Sequence, residues 1–240
     1  MKKVKKLLAL MLALAMLMAM TACGSEPKGS VSTGADSGSS TSSTPEATPE
    51  PTPEPEDELE LGSMVGGIYE NDFAGIGCKL DETWTYLSEE EILAQNEVMI
   101  ESVDDDELAE LLSDKGTFYD MVAMSEETLS TVNVVVENLG LLYGAALDAG
   151  KYVDISLESL EGQLGSMGMS VTSCEKESVD FCGKATDGIY IAGTMDVEGY
   201  EVEMFERIAC VKAGTYMFVI TACTYVEDTT ADVLALFYSV

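Results

Sequence analysis

The sequence predicts an α+β domain: an antiparallel β-sheet of about six strands sandwiched by α-helices. Three observations carry that expectation. Val132, Val134 and Val136 alternate with Asn133, Val135 and Glu137, a period-2 pattern that suits a strand covered mainly on one side. Thr215–Tyr225 is apolar on both alternations, so this strand should lie centrally, with cover on both faces. Tyr152–Met167 places Leu157, Leu160 and Leu164 on one helical stripe, and Gly165 and Gly168 mark its end.

The remaining elements follow in order. Gly67–Glu70 and Phe73–Leu80 read as strands about a turn at Asn71-Asp72. Trp84, the only tryptophan, is expected as a core anchor. Ser88 with Glu91 three residues on fits a capping box opening a helix, and Asp104–Asp106 opens another with Leu108, Leu111 and Leu112 on one face. Thr117–Met124 is a strand. Segments near Ser170–Phe181, Gly188–Asp196, Tyr200–Lys212 and Thr215–Tyr225 form a strand-rich third, with Ala213-Gly214 as a hairpin loop. Asp228–Tyr238 reads as a closing amphipathic helix. Such an order gives an α+β antiparallel sheet between helices.

This domain, residues 63–240, follows two other segments. Residues 1–22 carry Lys2, Lys3, Lys5 and Lys6 before an apolar and small run from Leu7 to Ala22, the pattern of a secretory signal. The run is shorter than the roughly 20 residues a spanning helix needs. Met20-Thr21-Ala22-Cys23 resembles the lipobox of bacterial lipoproteins, in which the cysteine becomes the mature N-terminus and carries the lipid. That resemblance makes Cys23 the lipidation site and implies a membrane tether on the extracytoplasmic face. Residues 23–62 are a linker, rich in Ser, Thr and Gly and then in Thr-Pro-Glu, recurring at Thr44, Thr48 and Thr52. All six prolines lie between Pro27 and Pro55.

Charge and composition exclude several functions. Removing residues 1–22 leaves 44 acidic and 8 basic residues, about 36 net negative charges. Nucleic acid is therefore no partner, since phosphate binding needs clustered Lys and Arg. Broad contact with anionic lipid is also disfavoured, so the lipid on Cys23 must hold the protein at its membrane. No histidine occurs, which removes Ser-His-Asp and Cys-His catalysis and His-ligated zinc. Thirteen acids and no base lie between Asp81 and Asp114. Helix first turns account for several of them. Calcium could use the surface, but the EF-hand spacing is missing and no metal ligand set can be named. No catalytic residue and no cofactor are assigned.

Beyond Cys23, five cysteines remain: Cys78, Cys174, Cys182, Cys210 and Cys223. An odd number leaves at least one unpaired or bonded to another molecule. With Ala213-Gly214 as the loop, Cys210 would oppose Met217 and Cys223 would oppose Met204, too far apart for a disulfide between them. All five fall in expected strands, where cysteine serves as a small buried hydrophobe.

Tyr69-Glu70-Asn71, Gly75-Ile76-Gly77 and Leu80-Asp81 leading to Trp84, in this order of strands and helices, are similar to the PsbP-like domain. That fold is shared by the extrinsic photosystem protein and Ran-binding Mog proteins. The resemblance covers about residues 66–240 and implies the same sandwich, without catalytic residues to transfer. The function expected is a membrane-tethered, non-enzymatic binding or accessory module with an extracellular protein partner. The alternatives are metal or small-ligand capture on the acidic surface and, less favoured, a carboxylate wall hydrolase.

Overall fold

The computed structural model describes residues 59–96, 116–197 and 199–240. The signal segment, Cys23, nearly all of the linker and the helix expected at Asp104 lie outside the described residues.

The larger sheet has seven antiparallel strands. In chain order they are β4 (Thr85–Tyr86), β5 (Thr117–Ser125), β6 (Ser130–Asn138), β7 (Met169–Phe181), β8 (Lys184–Val197), β9 (Tyr200–Ala213) and β10 (Tyr216–Tyr225), laid side by side as β4-β5-β6-β10-β9-β8-β7. Every residue of β10 is buried, and it sits at the centre as its unbroken apolar run requires. A second sheet has four short strands, β1 (Ser63–Val65), β2 (Ile68–Asn71), β3 (Ile76–Cys78) and β11 (Phe237–Ser239), in the order β1-β2-β3-β11. Gly66 and Gly67, both at positive φ, make its first hairpin turn.

Among the described residues, four helices accompany the sheets: α1 (Glu89–Gln95), α2 (Gly140–Ala146), α3 (Ala149–Ser166) and α4 (Thr230–Leu234). The Ser88–Glu91 capping box forms as expected at α1. Helix α3 buries Tyr152, Val153, Ser156, Leu160 and Leu164. Tyr152, Val153, Leu160 and Leu164 pack with Ile189, Ile191, Met204 and Ile208 in one core. The opposite face of the large sheet meets the small sheet: Tyr69, Ile76, Cys78 and Phe237 pack on Phe118, Val134, Phe218 and Ile220, with Val233 and Leu234 of α4.

The architecture is thus mostly antiparallel sheet with a few helices, and it departs from expectation in five places. Seven strands and a second sheet replace the single sheet of about six, and one of its two covers is β rather than helical. The closing helix expected over Asp228–Tyr238 stops at Leu234, because Phe237 pairs with Cys78 and buries its ring against Phe181. Strand β6 is covered on both faces, so Asn133 and Glu137 are buried rather than solvated. The β9–β10 loop is Gly214-Thr215, which shifts the register so that Cys210 faces Val219 and Cys223 faces Glu206. Trp84 is only partly buried at the margin of the second core.

Side-chain ties hold the layers in place. Arg207 on β9 donates from Nε to Glu177 on β7 at 2.5 Å and from Nη1 to Thr230 at the start of α4 at 2.8 Å, and its guanidinium lies over the Tyr190 ring. Tyr238 donates to Glu70 at 2.8 Å across the small sheet, its ring lying over Gly77, where any Cβ would collide with it.

Candidate functional site

The site begins with an irregularity in β5. Pairing with β6 shifts register between Tyr119 and Met121, so Asp120 has no opposite residue in the ladder. A bulge of this kind re-aims a side chain. Here it turns Asp120 toward the small sheet, where its carboxylate gathers three donors. Oδ2 accepts from the Tyr69 hydroxyl at 2.5 Å and from Asn71 Nδ2 at 2.9 Å. The Gly62 amide donates to Oδ1 at 2.9 Å and to Oδ2 at 3.1 Å.

Asn71, itself buried, extends the tie. Its Nδ2 also reaches the Glu60 carbonyl at 3.3 Å, and its Oδ1 accepts from the Ala74 amide at 2.8 Å, which shapes the turn before β3. The expected Asn71-Asp72 turn is therefore built around a side chain that also serves the bulge.

On the other side of Asp120, Asn96 ends α1. Its Nδ2 donates to the Tyr119 carbonyl at 2.8 Å and its Oδ1 accepts from the Tyr119 amide at 2.7 Å, so the side chain pairs with β5 as a strand neighbour would. Leu87 donates to Val122 and continues the β4–β5 edge toward the capping box. Helix α1 straddles the sheet margin, with Ile92 packed on one core and Leu93 on the other.

Between these anchors lies a cavity of about 530 Å³. Its walls are largely apolar, with Leu59, Leu61, Met64, Leu93 and Met121 among them, and Tyr69, Tyr86 and Tyr119 also line it. Three acids line it, Glu60, Glu89 and Asp120, and no base does so among the described residues. Asp120 is half-buried and touches the open space. Burial pushes its carboxyl above the usual range, and the Tyr69, Gly62 and Asn71 donors oppose that shift. Burial, and then the neighbouring Asp120, raise the Tyr69 phenol well above its ordinary value, so it stays a donor.

Another acid lies in the α3-side core. Glu206 is fully buried on β9, opposite Cys223 on β10 and Ile191 on β8, and Cys174 continues the same row on β7. Neither carboxylate oxygen has a hydrogen bond of regular geometry; the Cys223 thiol beside it is a weak donor. Burial raises its carboxyl from 4.5 to about 7. Glu137, on the same face of the sheet, differs in accepting from the Tyr152 hydroxyl at 2.6 Å.

All five cysteines after Cys23 are free thiols. Burial pushes Cys78 and Cys210 up to about 12 and Cys174 and Cys182 up to about 11, and it raises Cys223 as well, so they sit as neutral thiols at pH 7. Cys182 falls in the β7–β8 turn at positive φ rather than in a strand. Of the acidic stretch from Asp81 to Asp114, the part up to Asn96 is described, and Glu89–Glu91 occupy the first turn of α1. Among the described residues, no group of three or more Cys, Asp or Glu is placed to hold a metal ion.

Sequence reasoning did not single out Asp120 or Glu206. Both left a signal. Asp120 interrupts an apolar run in which Phe118, Tyr119, Met121 and Val122 are all buried, the mark of a bulge. Glu206 falls on the alternation Val202, Met204, Ile208, Cys210, the inward face of β9.

No protein-family model matches the chain, and no curated protein does. Among solved structures, LpqN of Mycobacterium tuberculosis, described as involved in cell envelope biogenesis, is similar at 9% identity and a TM-score of 0.35, over 67% of this chain and 75% of that one.

Replacing Asp120 by Ala leaves three donors without their acceptor and should cost about 2–4 kcal/mol in urea unfolding. Amide exchange at Gly62 should accelerate more than exchange in β10; equal acceleration at both would mean that Asp120 does not tie the two sheets. For Glu206, the folded carboxyl keeps its proton to higher pH than the unfolded one. The stability it contributes is full below about pH 4.5 and is lost as pH rises through about 7. Glu206→Gln cannot ionise, so it should gain about 3 kcal/mol on the parent between pH 4.5 and pH 8. A constant difference across that range would show that the buried acid ionises without penalty.

Proposed function

We propose that the protein is a lipoprotein held on the extracytoplasmic face of a membrane through Cys23, whose domain, PsbP-like in outline, is a non-enzymatic binding or accessory module. The signal segment, the lipobox and the proline-rich spacer support the tether. The observation that carries the binding reading is the cavity above Asp120: apolar walls, one carboxylate set by three fixed donors, and space of the size small-molecule pockets have, roughly 300–1,000 Å³.

Chemistry of the site favours holding over turnover. The chain has no histidine, and the thiols are raised rather than activated. Asp120 is held in place by three structural donors, which suits a positioning charge better than a proton shuttle. Small-ligand capture therefore belongs to this cavity in preference to the acidic helical surface. An extracellular protein partner is compatible with it, since Met64 and Val65 stay exposed on the outer edge of the small sheet beside its mouth.

Two measurements test the reading. Expressed in a bacterium that processes lipoproteins, the full chain should partition into the detergent phase, and Cys23→Ser should move it to the aqueous phase; an unchanged partition would remove the tether. Thermal unfolding of the chain from Cys23 onward, made without lipid, should show a saturable rise with one compound of a panel holding calcium, manganese and small metabolites. At a hundredfold excess over Kd the stabilisation is about 2.7 kcal/mol. Measurable hydrolysis of wall polymer by the same preparation would overturn the non-enzymatic assignment.

A further inference from the structure

The cavity over Asp120 has a charge character that selects among ligands. Its three acids face no lining base among the described residues. Within the described residues, Asp120 Oδ1 accepts from Gly62 alone, whereas Oδ2 is shared by Tyr69, Asn71 and Gly62. A carboxylate oxygen has room for more than one donor, so the Oδ1 side retains accepting capacity. An anionic ligand would meet three carboxylates. A neutral one would displace water from the open side of Asp120 without returning a charge-assisted contact. Among the described residues no three Cys, Asp or Glu are grouped to hold a bare metal ion, which would also waste the apolar walls.

We propose that this cavity binds an amphipathic organic cation, an ammonium head beside Asp120 with its apolar body against Leu61, Leu93 and Met121 and its entry flanked by Glu60 and Glu89. The proposal rests on the binding reading above and gives it a ligand class. Glu60 and Glu89 are exposed, so they contribute attraction rather than contact, a steering role that salt screens. The charge-assisted contact with Asp120 sits out of bulk water and is screened less.

Three probes with the same eight-carbon body isolate the head group: octylammonium, 1-octanol and octanoate. Each is titrated at 150 mM salt into the unlipidated chain from Cys23 onward, labelled at the methionine methyls. Met64 and Met121 line the cavity, and their signals are assigned with Met64→Leu and Met121→Leu. Octylammonium should shift these two methyls to saturation with one site per chain. Octanol should bind at least tenfold more weakly, and octanoate should leave both signals in place. Asp120→Asn should weaken octylammonium at least tenfold. Should that variant unfold, Glu60→Gln with Glu89→Gln, both at exposed positions, should weaken it about threefold at low salt and less at high salt.

Equal or tighter binding of octanol or octanoate overturns the cation assignment while leaving a binding cavity. Octylammonium shifts spread over many methyls without saturation overturn it as adsorption to an acidic surface. If none of the three moves Met64 or Met121 while the ligand panel still stabilises the fold, the proposal fails and the binding reading survives at another place.

Discussion

Ten consecutive buried residues in β10 impose the architecture. A strand apolar on both faces must be covered twice, and leaving either face to water would forfeit about 1.5–3 kcal/mol for each large side chain exposed. Helix α3 covers the flank made by β7, β8 and β9 on one side. The other side is closed by the small sheet and α4, whose strands of three and four residues are too short to stand alone. The small sheet exists because the large one needs a second lid.

A lid of that kind needs fastening, and the fastening is polar. Asp120 leaves the β5 ladder and receives donors from Gly62, Tyr69 and Asn71, all in the first stretch of the domain. The same displacement that ties the layers also opens the space beside α1, so the strongest candidate site is a by-product of how the lid is attached. Glu206 makes the contrast. It is fully buried and has no fixed donors, and burial raises its carboxyl to about 7. Burial raises both carboxyls, but only at Asp120 do fixed donors oppose the shift.

Much of the fold was legible in sequence because periodicity reports burial directly. The central place of Thr215–Tyr225, the α3 stripe and the Ser88–Glu91 capping box all follow from local pattern. What failed depended on non-local facts. Nothing in Phe237-Tyr238-Ser239 announces a partner near residue 78, so the closing segment read as helix. The polar alternation of β6 resembled a solvated face, because the Tyr152 hydroxyl that serves Glu137 comes from another element. The loop at Gly214-Thr215 was misplaced by one residue, which moved every cross-strand partner of β10 by two. The candidate cavity was legible only in hindsight, through an acid interrupting an apolar strand.

The pairing of β11 with β3 also sets a kinetic order. It joins Phe237 to Cys78 and Ser239 to Ile76, positions at opposite ends of the domain. Strand β10 likewise waits for β6 across α2, α3 and three intervening strands. Contacts so far apart in sequence are paid for in loop entropy before they return any energy, which places folding among the slower, β-rich class. No proline lies within the domain, so isomerisation adds no slow phase of its own. The small sheet is complete only once β11, from the far end of the domain, has paired with β3.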